Sequence, residues 1–429
     1  MALTLHQQEK QEEILSHLYA GEKRILLIGS AGVGKTYMMG ELVKLLARDR
    51  RVNRHYNNKK IYALAPTNKA LAVLKGKIDY EVEFKTVDSA LHRRPGPADP
   101  KTGIRKFIRI NRKSKSAEDF KTCKAAIVDE ASMLNSELLT YLDEYKFPII
   151  FVGDNKQINP VGEAESPVFT RGYPTVELTE IVRQKNPNPI IELSRDLDLI
   201  YFKQPNVINN RGYLYSNAKH IMIDRLAEVN GTDDLKYLAY TNDEVELMNK
   251  LVRVKRYGNP KKIELEETIT FNMPYGSFYT NEEVKVRHVD IITDFISVPK
   301  EDTRYDKDDN PITEMDKIKM KYYRINESIS VVHEQSEAIF KLIVAQLNGH
   351  CKNNGWSWNA RDYFRDKIFA DIKYNHALTI HKSQGSTYKE AIINIGNVLR
   401  YCRDANEKQR LLYTGVTRAS DLVILNNVM

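Results

Sequence analysis

Short apolar runs alternate with amphipathic stretches through about the first 180 residues of the chain. The apolar runs have the length of buried strands, and helical spacing of apolar positions follows them. They are RILLIG, KIYALAP, AAIVDE and PIIFVGD. Strands that alternate with helices indicate a parallel sheet with crossover helices. The same pattern resumes near Thr179 and includes LKYLAYTN and a helix predicted over Asp243–Lys255.

Two segments interrupt this α/β pattern. Residues 92–118 are rich in turn residues and then strongly basic. Residues 261–374 begin with short β-like runs and continue with a helix predicted near Glu334–Lys352. We therefore predict a first domain over residues 1–178 that carries the basic insertion, a second domain formed by residues 179–260 and 375–429, and an inserted β domain over residues 261–374.

Composition narrows the class of protein. The chain has 429 residues, of which 42% are hydrophobic, so it can form packed cores. Its net charge of +8 suits a polyanionic partner without proving one. No apolar run approaches the ~20 residues that cross a bilayer, and the N-terminus lacks the apolar core of a signal peptide, so we expect neither membrane association nor secretion. The cysteines Cys123, Cys351 and Cys402 are far apart in sequence, which fits a reducing cytosol.

The strongest chemical signal is GSAGVGKT at Gly29–Thr36, directly after an apolar run and before a predicted helix. It matches the phosphate-binding pattern G-x-x-x-x-G-K-[ST] in its required context. Glycines allow backbone N–H groups to turn toward phosphate oxygens at the positive end of the helix. Lys35 would reach the β- and γ-phosphates and Thr36 would bind Mg²⁺. A merely structural glycine turn would need neither the lysine nor the threonine.

Acidic and amide side chains follow two further apolar runs. Asp129 and Glu130 come after Ala125–Val128, where Asp129 suits a Mg²⁺ ligand and Glu130 a general base. Taken alone, such a pair is also typical of a solvated strand end. Gln157 lies in VGDNKQINP and could bind the attacking water or sense the γ-phosphate. The NKQI tetrapeptide has Ile158 where guanine recognition needs Asp, and no LSGGQ motif occurs, so GTPases and transporter ATPases are disfavoured.

These motifs form an ordered set that resembles a known family. GSAGVGKT, APTNKAL, VDEASM, VGDNKQINPV, ELTEIVRQ, TIHKSQGST and LLYTGVTRA follow one another along nearly the whole chain. The set resembles the superfamily-one DNA helicases, most closely the RecD-like branch and, within it, the phage Dda-type helicases. The resemblance implies two RecA-like P-loop domains, with a small β-hairpin insertion in the first and an SH3-like β domain inserted in the second.

The resemblance also assigns roles in an ATP site. Gln7 resembles the glutamine that reads adenine, with Gln8 as a rival, and Arg183 and Arg418 resemble two arginines that reach the γ-phosphate from the second domain. Such arginines spread charge onto the equatorial oxygens and are worth roughly 10³–10⁵ in rate. The expected catalytic residues are Glu130, Gln157, Arg183 and Arg418. The expected ATP and Mg²⁺ ligands are Gln7, Gly29, Ala31, Gly32, Val33, Gly34, Lys35, Thr36 and Asp129.

A second implied set binds nucleic acid. Hydroxyls, amides and backbone N–H groups at strand ends can grip phosphates without reading sequence. The expected contacts are Pro66, Thr67, Asn68, Thr86, Ser89, Thr241, Thr379, His381 and Lys382. For Thr241 a plain helix cap is an equally good interpretation.

The basic insertion corresponds, by resemblance, to a hairpin pin that splits the duplex. Lys101–Lys124 carries nine Lys or Arg against two acids, and Phe107 is the candidate wedge residue. Stacking on a base is worth about 1–3 kcal/mol, comparable with the ~1.4 kcal/mol mean cost of opening a base-pair step. The alternative is a disordered basic loop that touches phosphates nonspecifically.

The sequence thus predicts an ATP- and Mg²⁺-dependent helicase that acts as a cytoplasmic monomer, in the host cytosol if the chain is of phage origin. It would move 5′ to 3′ on single-stranded DNA and unwind duplexes. Its expected partners are single-stranded DNA and single-strand/duplex junctions, with single-strand-binding or replication proteins as further candidates. Polarity rests on resemblance alone, and RNA stays open as the strand. The rivals are a translocase that strips proteins without unwinding and an ATP-switched nucleic-acid-binding protein with little turnover.

Overall fold

The structure is a computed structural model in which residues 3–52, 59–102, 104–109, 120–180, 188–197, 200, 203–232, 234–306 and 310–427 are described. No helix within these ranges is long and apolar enough to span a bilayer. The three cysteines are buried free thiols, as their separation in sequence indicated.

The first α/β unit is built around a six-stranded, fully parallel sheet. Its elements are α1 (Leu5–Tyr19), β1 (Arg24–Gly29), α2 (Lys35–Arg48), β2 (Ile61–Ala65), α3 (Asn68–Lys75), β3 (Glu83–Thr86), α4 (Val87–Ala90), β4 (Arg93–Ala98), β5 (Arg105–Arg109), β6 (Ala125–Val128), α5 (Ser136–Asp143), β7 (Ile149–Gly153) and β8 (Thr175–Leu178). The sheet has the order β3-β2-β6-β7-β1-β8. Short 3₁₀ turns lie at Ala131–Met133 and Pro167–Phe169.

Both faces of this sheet are covered, which explains why its strands are continuous apolar runs. Along β1, Ile25 and Leu27 pack into one core while Leu26 packs into the other, as the two-residue period of a strand requires. The carboxyl ends of parallel strands meet at one edge, so the loops after β1, β6 and β7 are brought together there.

Strands β4 and β5 leave this sheet and form an antiparallel hairpin of their own. The hairpin occupies the described part of the basic insertion, so the predicted small β-hairpin is present. Residues 103 and 110–119 of the insertion lie outside the described residues.

The second α/β unit combines strands from two separate parts of the sequence. The first part contributes α6 (Pro189–Arg195), β9 (Asn206–Ile208), β10 (Arg211–Tyr215), α7 (Lys219–Val229), β11 (Leu235–Ala239) and α8 (Asn242–Tyr257). The inserted segment contains β12 (Thr268–Phe271), β13 (Glu283–Lys285), β14 (Val289–Val298), β15 (Asp316–Ile325), β16 (Ile329–Val332), α9 (Glu334–Asn353), α10 (Trp358–Asp362) and β17 (Ile372–Tyr374). The last part contributes β18 (Ala377–Thr379), β19 (Tyr388–Asn394), α11 (Ile395–Tyr401), α12 (Ala405–Val416) and β20 (Ala419–Asn426).

The second sheet has the order β18-β11-β19-β20-β10-β9 and is parallel apart from its edge strand β9. A 3₁₀ turn at His381–Ser383 follows β18. Strands β10 and β11 belong to the same sheet as β18–β20, so the segment between β11 and β18 interrupts a single sheet.

The inserted segment contains two three-stranded sheets, β13-β12-β17 and β14-β15-β16, whose strand pairs are antiparallel. The 20-residue helix α9 packs on the second of these sheets and is followed, after α10, by a π-helical turn at Tyr363–Lys367. The predicted β texture and the predicted helix are therefore both present. An SH3-like topology stays a prediction.

Candidate nucleotide site and nucleic-acid cleft

The glycine-rich loop joins β1 to α2, as its spacing predicted. Gly32 and Gly34 have φ angles of 89° and 79°, which side chains with a Cβ rarely adopt. A Cβ on Gly29 would lie 2.7 Å from the Val33 side chain, so the loop also needs glycine for close packing. Lys35 begins α2, and its Nζ donates to the Gly29 carbonyl at 2.5 Å and the Ser30 carbonyl at 3.1 Å. The ammonium group therefore lies over the mouth of the loop.

Carboxylates from neighbouring strand ends face this lysine. Asp154, at the end of β7, places Oδ2 3.8 Å from Lys35 Nζ and is almost fully buried. Asp129 follows β6, and its Oδ1 accepts the Glu130 N–H at 2.9 Å. Glu130 has a left-handed backbone, with φ of 50°, a conformation that non-glycine residues avoid and that is frequent at functional sites.

The electrostatics of Asp129 fit a cation ligand. Burial, reinforced by the negative charge of Glu130, raises the pKa of Asp129 to about 7, although the charge of Lys35 opposes the shift. A carboxylate that is costly to ionise gains most from a nearby divalent cation. With the Thr36 hydroxyl at the start of α2, the donors are hard oxygens of the kind Mg²⁺ prefers. Mg²⁺ commonly takes only one or two protein carboxylates beside substrate phosphates, which this donor set would provide.

Two glutamines border the site. Gln157 is 5% exposed, and its Oε1 has no hydrogen-bond partner among the described residues, which leave this buried acceptor without a donor. Gln7 is fully buried; its Nε2 donates to the Val33 carbonyl at 3.1 Å, and its Oε1 accepts the Thr4 N–H in a capping box. Gln8 is exposed. The structure thus brings Gln7, and not Gln8, against the phosphate loop; its role with adenine stays a prediction.

The second α/β unit reaches the phosphate loop through α12. Tyr413 donates its hydroxyl hydrogen to Asp154 at 2.6 Å, and the same oxygen accepts the Ala31 N–H at 2.9 Å. One turn earlier, Arg410 donates to the carbonyls of Asn155 and Gln157 at 2.6 Å and 2.8 Å. Sequence reasoning missed Tyr413 and Arg410, although Tyr413 lies inside LLYTGVTRA, five positions before Arg418.

The two predicted arginines have different outcomes. Arg418 is 6% exposed and donates to the carbonyls of Thr414 and Ser386, each at 3.1 Å. Burial and the charge of Asp154 raise the pKa of the Tyr413 hydroxyl, and the charge of Arg418 opposes this rise. Arg418 therefore lies close to Tyr413, the residue that contacts the loop. Arg183 lies outside the described residues.

Two of the predicted nucleic-acid residues, Thr379 and Lys382, lie in a second region. A cleft of about 550 Å³ is lined by all three parts of the chain: by Lys69 of the first unit, by Thr379 and Lys382 of the second, and by Thr270 and Asn272 of the inserted segment. Its remaining lining combines amide and charged side chains, which can contact a phosphate backbone, with apolar groups.

Several predicted hydroxyls already cap helices at the rim of the sheets. Thr67 accepts the Ala70 N–H at 3.2 Å and so starts α3, while Thr86 accepts the Ser89 N–H at 3.2 Å and starts α4. Pro66 and Asn68 flank Thr67 at the end of β2. In the second unit, a Cβ on Gly385 would meet Ala70 of α3, so the two predicted strand-contacting segments adjoin each other.

Thr241 and His381 are more restrained than their motifs suggested. Thr241 caps α8 and also accepts from Asn397 Nδ2 at 3.1 Å, so the helix-cap interpretation is present in the structure. The neighbouring Asn242 lines the cleft. His381 is partly buried, and burial lowers its pKa, although the charge of Glu407 opposes this shift. His381 is therefore a neutral hydrogen-bonding group near neutral pH.

The hairpin carries the candidate wedge. Phe107 lies in β5 opposite Pro95 and is 46% exposed. The hairpin is held at its base by Arg93, which contacts Asp88 and Glu137 at 2.8 Å and 2.7 Å. Its far end is attached to the inserted segment, where Trp358 Nε1 donates to the Pro100 carbonyl at 3.2 Å. Phe107 is thus an exposed aromatic side chain on a hairpin that contacts both the first unit and the inserted segment.

Comparisons with known proteins agree with this architecture. Residues 6–199 match a family described as an AAA domain, and residues 374–426 match the UvrD-like helicase C-terminal domain. A protein of Acanthamoeba polyphaga mimivirus is 26% identical over 93% of this chain and 94% of its own length. The ATP-dependent RecD2 DNA helicase of Deinococcus radiodurans is 30% identical over 44% of this chain, and the match spans only 23% of that protein.

Among solved structures, the fold is similar to that of Bacteroides Pif1 bound to single-stranded DNA, with a TM-score of 0.52. The alignment covers 100% of this chain and 93% of that one at 17% identity, so it supports the fold alone. The predicted fold class, α/β with two P-loop domains, is confirmed.

Proposed function

We propose that this chain, a superfamily-one helicase of the RecD-like branch by its motifs, fold and relatives, hydrolyses ATP to move 5′ to 3′ along single-stranded DNA and to unwind duplex DNA. The membership itself agrees with the resemblance seen in the sequence, whereas the closer likeness to phage Dda-type helicases stays a prediction. The observation that carries the proposal is the direct contact of α12 with the phosphate loop through Tyr413. This contact supports the proposal, because the second unit touches the loop that would hold the nucleotide.

The nucleotide chemistry follows from the residues around the loop. Backbone N–H groups and Lys35 would hold the phosphates, and Thr36 with Asp129 would hold Mg²⁺, which neutralises charge on the β- and γ-phosphates. Glu130 would accept the proton of a water that attacks the γ-phosphorus while the bond to the ADP oxygen breaks. Gln157, whose Oε1 accepts no hydrogen bond from the part of the chain that the structure describes, would orient that water.

Arginines from the second unit would stabilise the charge on the transferred phosphoryl group. Arg418 would need to exchange its contacts with the Thr414 and Ser386 carbonyls for a phosphate oxygen, and Arg183 would be its partner. Such an exchange would draw the two units together when ATP binds and release them when phosphate leaves.

Motion of the two units would then be transmitted to the strand. Lys69 belongs to the first unit, Thr379 and Lys382 to the second, and all three line one cleft. Closing the nucleotide site therefore changes the spacing between two groups of strand contacts. Alternating grip by these groups would convert hydrolysis into stepping, and the exposed Phe107 would separate the base pair that the hairpin meets.

A fluorescence unwinding assay with tailed duplexes tests the proposal. We expect ATP-dependent unwinding of a DNA duplex with a 5′ tail, little unwinding with a 3′ tail, and ATPase activity that single-stranded DNA stimulates. RNA versions of the same substrates show whether the protein acts on DNA or on RNA. ATPase that ignores DNA would contradict both this proposal and the translocase alternative, whereas stimulated ATPase without unwinding would favour the translocase.

A further inference from the structure

One hydroxyl group joins the phosphate loop, the strand end at Asp154 and the second motor unit. The Tyr413 oxygen lies 2.9 Å from the Ala31 nitrogen and 2.6 Å from Asp154 Oδ2. Tyr413 and Asp154 are 3% and 1% exposed, so solvent does not compete for either contact. Residues 31 and 413 are 382 positions apart, so the contact exists only because the two units fold against each other.

The partners of this hydroxyl restrict what it can do. Asp154 Oδ1 already accepts the Lys156 N–H at 3.1 Å, and its Oδ2 is shared between the Tyr413 hydroxyl and, at 3.8 Å, the Lys35 ammonium. A buried carboxylate needs such partners, because an unpaired charge in a low dielectric is costly. Because the Tyr413 hydroxyl also donates to Asp154, this carboxylate does not depend on the Lys35 ammonium alone. The ammonium can then turn toward a phosphate.

The acceptor side of the hydroxyl contacts the phosphate loop directly. Ala31 belongs to the phosphate-binding pattern, whose backbone N–H groups cradle phosphate oxygens. A backbone nitrogen carries one hydrogen, so the Tyr413 oxygen and a phosphate oxygen compete for it. We propose that Tyr413 is a positioning residue that reads occupancy of the phosphate loop: a bound phosphate takes the Ala31 N–H, and Tyr413 keeps only its bond to Asp154.

This exchange changes how α12 is held against the first unit. Helix α12 carries Tyr413 and Arg410, and Arg418 follows the helix directly. Loss of the Ala31 contact removes one of the bonds that hold α12 to the loop, whereas the bonds from Arg410 to the Asn155 and Gln157 carbonyls remain. The helix can then pivot toward the nucleotide. The inference rests on the proposed nucleotide site and names the residue through which the second unit senses it.

The test compares Asp154→Asn with the double variant Asp154→Asn/Tyr413→Phe. The two proteins differ by one hydroxyl group, and neither has a carboxylate that could turn to Lys35 and obscure the result. Affinity for a fluorescent, non-hydrolysable ATP analogue is measured without DNA. Removing a competing hydrogen bond of ordinary strength should tighten binding in the double variant by about 2- to 10-fold. A hydroxyl that only supports the fold would leave binding equal or weaker, and that result would overturn the inference.

A second readout concerns coupling. For the unaltered chain, the ratio of nucleotide affinities with and without oligo-dT measures the linkage between the two sites. Tyr413→Phe should bring this ratio at least about twofold closer to one, while Tyr401→Phe, at a 52% exposed tyrosine of the same unit, should leave it unchanged. An unchanged ratio in Tyr413→Phe would also overturn the inference. If the unaltered chain binds no nucleotide, the proposed function itself fails, and the inference falls with it.

Discussion

In the described ranges, two of the junctions between the first unit and the rest of the chain are built differently. At the nucleotide junction, Tyr413, Arg410 and Gln384 bond mainly to loop and carbonyl groups, and Tyr413 and Gln384 are at least nine-tenths buried. At the strand junction, the contacts to the inserted segment include two ion pairs. Lys69 meets Glu283 and Arg105 meets Asp362, both at 2.8 Å, with side chains that are 19–25% exposed.

The difference has a physical consequence. Buried hydrogen bonds are directional and insensitive to salt, so the nucleotide junction holds its groups in fixed positions. Partly exposed ion pairs are worth little, and salt screens them. We therefore expect the strand junction to open readily, as admission of a strand into the cleft requires, while the nucleotide junction changes only when a ligand replaces its bonds.

The largest expected effect is a loss of ATPase turnover without a loss of DNA binding, which distinguishes the nucleotide junction from the strand junction. Lys35→Ala removes the ammonium that would contact the β- and γ-phosphates, and we expect ATPase turnover to fall by at least about 10³-fold. Affinity for single-stranded DNA, measured by anisotropy, should change by less than about twofold because Lys35 lies outside the strand cleft. Lys44→Ala, on the same helix, is the matched control. Parallel loss of turnover and DNA binding would mean that Lys35 supports the fold.

The next effect concerns the hairpin that bridges to the strand junction. Phe107→Ala removes the exposed ring, and loss of one stacking contact predicts about 30-fold slower unwinding in a stopped-flow assay. DNA-stimulated ATPase should persist, because Phe107 contacts neither the loop nor the cleft. Ile108→Ala, at a 42% exposed neighbour on the same strand, should unwind normally. Unchanged unwinding in Phe107→Ala would remove the wedge assignment.

The elements that could be predicted from the sequence are those that depend on a few neighbouring residues. The helix expected after the glycine loop is α2, Lys35–Arg48, and the strand expected before Asp129 is β6, Ala125–Val128. Both follow from apolar periodicity and glycine placement, which act over a few residues. The choice between Gln7 and Gln8 was also available locally, since Thr4 and Gln7 have the spacing of a capping box and so fix which glutamine begins the buried face of α1.

Contacts between distant segments could not be predicted in this way. Tyr413 reaches Ala31 across 382 positions, and Lys69 reaches Glu283 across 214. Neither pair leaves a periodic or spacing signal, because each depends on how whole sheets pack. Thr241 shows the converse problem: the same residue type suits a helix cap and a phosphate contact, and only the bond that its hydroxyl accepts from the Glu244 N–H reveals the cap.

The strand junction can be tested by exchanging its charges. Lys69→Glu should weaken binding of oligo-dT by about tenfold at low salt, because it breaks the ion pair and adds negative charge to the cleft. The double variant Lys69→Glu/Glu283→Lys restores both the pair and the net charge, since both residues line the cleft. We expect it to recover affinity to within about threefold, with differences that shrink as salt is raised. If the double variant binds no better than Lys69→Glu, the lysine acts on the strand alone and the ion pair contributes nothing.

The smallest expected effect is on the free energy of unfolding and concerns one carboxylate near each junction, Asp129 and Glu283. Burial and Glu130 raise the pKa of Asp129 to about 7. For Glu283, burial alone would raise the pKa, but the charges of Lys236 and Lys69 outweigh it and lower the pKa. A raised carboxyl pKa destabilises the fold as pH rises from the unfolded value near 4 to about 7, because only the unfolded chain releases its proton there. A lowered pKa stabilises the fold above about 4.5.

The two substitutions should therefore act in opposite directions. Without metal or nucleotide, Asp129→Asn should raise the free energy of unfolding by at least about 1 kcal/mol at pH 7.5 and by less at pH 5. Glu283→Gln should lower it at both pH values, because Glu283 is ionised throughout that range. Urea unfolding at the two pH values measures both. Destabilisation by Asp129→Asn at pH 7.5 would show that its carboxylate is held by favourable contacts, and the electrostatic contrast between the junctions would then be wrong.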